Sequence, residues 1–212
     1  MTAFELVFAA FGLVLGLAIA EVLGGFARVL KLRRCERAKV RIGALTPLLA
    51  LFVLLDLTRF WLIAWNVRAA IPANYLTLVA VLAIVGTYYV VSTLIFPDDP
   101  EEWPDFDLHY DKHNRIVLGG MLAAQLALIA LAAAVAAGAV TASGEGAELL
   151  NGRAGSGASG GPGWPTLLRA AAGLLPLPLL VALIAVKRRR VNAAFLCALI
   201  ALNLADAAAS AA

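Results

Sequence analysis

The sequence predicts an all-α bundle of six membrane-spanning helices in a single domain, and three observations predict it. The 212-residue chain is 62% hydrophobic and 15% charged, with a mean hydropathy of +0.89. A soluble domain sits at about 45–50% apolar and about 25% charged. Second, six apolar stretches, 4–30, 42–66, 76–96, 116–141, 166–186 and 191–210, reach or approach the length a helix needs to cross a bilayer. That length is about 20 residues, because a backbone in lipid must satisfy its own hydrogen bonds. Third, no part of the chain alternates in the segments of roughly 10 residues that mark barrel strands.

The first stretch contains "FGLVLGLAIA" with Ala18 and Ala20 ahead of Glu21, which has the outline of a signal-peptide core and cleavage site. A secretory signal starts with positive charge. Here the first charge is Glu5, and cleavage would export the basic loop that follows, so 4–30 reads as an uncleaved span. Gly12, Gly16, Ala20 and Gly24 recur every four residues along it. Small residues at that spacing let helix backbones approach closely in lipid, either within the bundle or between copies as a homo-oligomer through span one.

The second stretch holds "LLALFVLLDLTRFWLIAW", with Asp56 and Arg59 in otherwise apolar surroundings. Trp61 and Trp65 are expected as interfacial anchors at its outer end, and Trp164 at the start of span five. The third is closed by Pro97, Pro100 and Pro104, which remove backbone donors and forbid a continuous helix. The segment between spans three and four, 96–115, carries seven acids and two bases. A helix can restart after Pro104, with Asp105 and Asp107 at its positive end and Phe106, Tyr110 and His113 on one face. This predicts a short interfacial helix leading into span four. Residues 142–165, rich in Gly and Ser, read as a flexible tether. Pro176 and Pro178 predict a kink in span five. The last stretch is apolar without interruption only from Ala193 to Leu202 before Asn203 and Asp206, so a five-span chain with a C-terminal tail is the alternative.

Orientation follows from Lys and Arg in short loops. The loops at 31–41, 111–115 and 187–190 hold twelve of the 17 bases, while the opposite side holds Arg68, Arg153 and Arg169. Both termini are therefore expected outside the cytoplasm, in a multi-pass protein of the inner (plasma) membrane. The net charge of +3 is explained by topology and does not signal nucleic acid. Cys35 and Cys197 show no disulfide framework.

The residues that carry chemistry are those the bilayer should exclude. A lone charge at mid-membrane costs from about 2.5 to over 10 kcal/mol, depending on the reference. Counting depth from the inner ends of the spans puts Asp56, Arg59, Asn203 and Asp206 in one layer. Asp56 and Arg59, at i and i+3, are expected to pair locally, with Asp206 as a second carboxylate for the guanidinium. A second layer nearer the cytoplasm comprises Glu21, Tyr88, Tyr89 and Gln125, with Arg28 on the same face as Glu21.

His109, His113 and Asp105 have the spacing of a metal site but lack a further histidine or a cysteine beside them, so no metal is expected. No histidine lies within a span to hold a haem, and the nucleophile-elbow, zinc-protease and phosphate-loop motifs are absent from the sequence. No cofactor and no enzymatic activity are expected. Two function classes remain. One is a small transporter or conductance for a proton or small solute, in which Arg59 alternates between Asp56 and Asp206 and Glu21 takes up the proton. The alternative is a non-catalytic scaffold or accessory subunit that docks a cytoplasmic protein partner through its acidic loop.

Overall fold

The computed structural model describes residues 3–34, 43–67, 75–97, 105–136, 176–186 and 188–211. They form six helices: α1 (Ala3–Arg34), α2 (Leu45–Val67), α3 (Tyr75–Thr93), α4 (Phe106–Ala136), α5 (Pro176–Ala185) and α6 (Arg189–Ala211). All but α5 are long and apolar enough to cross a membrane. At about 1.5 Å per residue, the 23 residues of α6 extend about 35 Å, enough for a hydrocarbon core of about 30 Å. The final stretch is thus a full helix rather than a tail.

The ten residues of α5 begin at Pro176, and Pro178 stands in its first turn. Proline suits that position, where a donor would go unused. The expected mid-span kink therefore has no place in the described helix, and the first half of the predicted span, like the 142–165 tether and Trp164, lies outside the described residues. The third helix stops at Thr93, four residues before Pro97. The interfacial helix expected before span four is not separate: it continues into the span as the single 31-residue α4. Asp105 caps it, accepting a hydrogen bond from the Asp107 amide at 2.9 Å. Capping offsets one of the unpaired amides of the first turn.

Contacts fix the directions of the helices. Phe8 meets Trp65 and Trp61 edge-on at 5.6 and 5.3 Å, so α1 and α2 are antiparallel. Phe26 meets Phe96 at 5.6 Å, just past the end of α3, so α1 and α3 run the same way. Thr46 donates to the Phe106 carbonyl at 3.0 Å, joining the starts of α2 and α4. Arg189 joins the start of α6 to the first turns of α4 through Asp111. Even and odd helices alternate in direction, as an up-and-down bundle requires.

The second helix is central, packing against α1, α3, α4 and α6. Its buried residues, Leu49, Phe52, Val53, Leu57 and Phe60, interdigitate with Phe11, Leu15 and Val22 of α1 and with Val85 and Tyr88 of α3. The outer faces are as apolar as the core, with Leu13, Leu17, Leu76, Ile116 and Leu204 all more than half exposed. A soluble protein does not carry apolar surface on every helix. Facing lipid, these residues need no cover.

Candidate functional site: a polar cleft around Asp56

Asp56 is buried, 4% exposed, on the face of α2 that looks toward α3 and α4. Tyr88 of α3 donates its hydroxyl to Oδ2 at 2.7 Å. The Gln125 amide of α4 spans both oxygens, at 3.2 Å from Oδ1 and 3.3 Å from Oδ2. Three helices thus converge on one carboxyl group. Each contributes one polar side chain from an otherwise apolar stretch, and in lipid each would cost several kcal/mol without the others.

Arg59 lies one turn further along α2 and pairs with α6, its Nε 3.5 Å from Oδ2 of Asp206. The expected local pair between Asp56 and Arg59 is replaced by two arrangements. The short Asp56 side chain stays with α3 and α4, and the long arginine reaches across to α6. Asn203, one turn before Asp206, is buried but donates to the Leu199 carbonyl of its own helix at 3.0 Å.

These groups line a cleft of about 220 Å³ bounded by Asp56, Arg59, Phe60, Tyr88, Gln125 and Leu177, with Ile63, Leu128 and Ile129 completing its apolar wall. The volume is below the roughly 300–1,000 Å³ of pockets that take drug-sized ligands. It suits a small solute.

The second layer anticipated from the sequence is divided by the fold. Tyr88 and Gln125 belong to the Asp56 cleft. Tyr89, the next residue on α3 and about 100° around the helix, is 38% exposed. Glu21 pairs with Arg28 at 3.2 Å on the surface of α1, two turns along one face, and neither lines the cleft.

The small residues of α1 are divided as well. Gly12 lies beneath Trp61, where an added Cβ would sit 3.2 Å from the ring. Gly16, Ala20 and Gly24 face outward, and added Cβ atoms at the two glycines meet nothing within 4 Å. The close approach is at Gly25 instead, against the Phe96 ring.

At the end of the bundle where α4 and α6 begin, Arg189 binds Asp111 with its Nε at 2.9 Å and Nη2 at 2.6 Å, and approaches Asp107 at 3.9 Å. Beneath it Tyr110 packs against the amides of Asn114 and Asn192, all three buried. Sequence reasoning missed this cluster, although Tyr110 and Asn114 fall on the anticipated face of α4. The His109 and His113 rings stack at 4.2 Å and Asp105 is occupied as a cap. Among the described residues no three His, Cys, Asp or Glu side chains come together as metal ligands. Cys197 is a free, exposed thiol on α6, and Cys35 lies outside the described residues.

Comparison with protein-family models, curated proteins and solved structures returns no match.

Proposed function

We propose that this protein is a small transporter or conductance of the plasma membrane, moving a proton or a small solute by way of the Asp56 cleft. The observation that carries the reading is the convergence of Asp56, Tyr88, Gln125 and Arg59 on one cleft within the apolar bundle. Ionisable groups at membrane depth, turned to the bundle interior, mark ion, proton or substrate paths. In this reading Asp56 is the group that changes its interactions as cargo passes. The Arg59–Asp206 pair is loose enough, at 3.5 Å, to open and close beside it. Glu21 has no part in the path, since its partner is Arg28 on the outside of α1.

The test is flux in proteoliposomes, for protons and common ions first and then for small solutes, comparing wild type with Asp56→Asn. Transport through the cleft predicts that the variant stays folded and loses flux. No flux for wild type, with Asp56→Asn simply unfolding the bundle, would return the cluster to a structural role and favour the accessory-subunit alternative. Of the acidic loop that alternative relies on, Asp107 and Asp111 already face Arg189 of the same chain, and the acids at 98–102 lie outside the described residues.

A further inference from the structure

We propose that Arg59 binds the carboxylate of a small organic anion in the Asp56 cleft, and that Asp56 takes up a proton when the anion enters. This rests on the reading of the cleft as a solute site and names the class of solute.

The guanidinium has five N–H donors in a planar fork suited to a carboxylate. Its ion pair is with Asp206, at 3.5 Å through Nε, and Asp206 is the more exposed of the two, while the guanidinium charge also acts on Asp56 without a direct contact. The terminal nitrogens therefore keep donors for a ligand. The walls around them, Phe60, Ile63, Leu128, Ile129 and Leu177, suit an apolar body attached to the charged group. A cation would have to lie beside Arg59 to reach Asp56, so the guanidinium selects against it.

The proton follows from electrostatics. An anion held by Arg59 stands in the same cleft as the Asp56 carboxyl, and two carboxylates sharing a site disfavour double ionisation. The groups facing Asp56 are Arg59 on its own helix, Tyr88 from α3 and Gln125 from α4, with Asp206 reaching Arg59 from α6. The cleft wall from α5 is the apolar Leu177, and on α1 the pair Glu21–Arg28 is closed on itself. The hydrogen bonds to Asp56 come from neutral groups, and an anion on Arg59 offsets the positive charge that otherwise acts on Asp56, so a proton from solution can then add to a carboxyl oxygen. Entry of anion and proton together leaves the charge of the cleft unchanged.

The experiment is calorimetric titration of the purified full chain in nanodiscs with benzoate, benzyl alcohol and benzylammonium, which share a ring and differ in charge. Benzoate should bind in preference to the other two, and its affinity should rise as pH falls, by up to about tenfold per pH unit for one linked proton. Asp56→Asn, which resembles the protonated acid, should bind benzoate with the pH dependence lost. Arg59→Gln should weaken benzoate by about tenfold or more. Should that variant fail to fold, Ile129→Trp serves in its place. Ile129 is 43% exposed on the cleft wall, and a larger side chain there should fill the cleft and abolish binding. Binding of benzylammonium in place of benzoate, or of none of the three, overturns the anion assignment. Benzoate binding that does not vary with pH overturns the linked proton. Loss of flux in Asp56→Asn liposomes alongside the first failure would leave the cleft as a transport site and remove only the anion, and alongside the second would remove only the linked proton.

Discussion

Tyr88 and Tyr89 are neighbours of the same type on α3, and their environments are opposite. The Tyr88 hydroxyl is committed to Asp56 at 2.7 Å in a buried setting, while Tyr89 is exposed on the outer face. Removing one partner of a buried hydrogen bond leaves the other unsatisfied and costs about 1–3 kcal/mol. Tyr88→Phe should therefore lower the thermal unfolding midpoint in detergent, whereas Tyr89→Phe should leave it unchanged. The loss at Tyr88 should be smaller when Asp56 is already Ala, which offers no acceptor, because the two changes remove one interaction. Equal effects of the two tyrosine substitutions would show that the Asp56 hydrogen bond contributes nothing measurable.

Helix pairs are set by a few positions where backbones or rings come close. At Gly25 an added methyl would enter the Phe96 ring, and at Gly120 it would press on Val91. Overpacking of this kind costs about 1–3 kcal/mol, so Gly25→Ala should destabilise the protein measurably in a detergent unfolding assay. Gly16→Ala and Gly24→Ala should remain within about 1 kcal/mol of wild type, since alanine is the better helix former and nothing stands in its way. A four-residue rhythm of small residues says that a close approach is sterically allowed along α1. Which glycine makes it depends on where α3 ends, and Pro97 determines that by halting the helix just before Phe96.

Across the whole molecule the helices alternate in direction and present apolar side chains outward on every side. The basic segments join α1 to α2 and α5 to α6 in sequence, and α1 and α5 end where α2 and α6 begin, at the end of the bundle where Arg189 holds Asp111. That end is expected in the cytoplasm by the excess of Lys and Arg. A reporter fused after residue 39 should read as cytoplasmic and one fused after residue 155 as extracytoplasmic. The opposite pattern would invert the bundle and, with it, the side from which cargo reaches the Asp56 cleft.

Residue order is enough to show that the chain is a helical membrane bundle, where its long helices run, and that Asp56, Arg59, Tyr88, Gln125 and Asp206 are out of place in lipid. Those features are legible because apolar length and proline positions act locally, and because any polar group in hydrocarbon is costly until it finds a partner, whichever partner that is. Which polar group partners which is set by helix packing. It took Asp56 to Tyr88 and Gln125 and Arg59 to Asp206, separated Tyr88 from Tyr89, and closed Glu21 on Arg28. Depth along a helix can be counted from a sequence at about 1.5 Å per residue. The rotation of each helix about its axis is fixed by packing against its neighbours, and that rotation decides which polar groups meet.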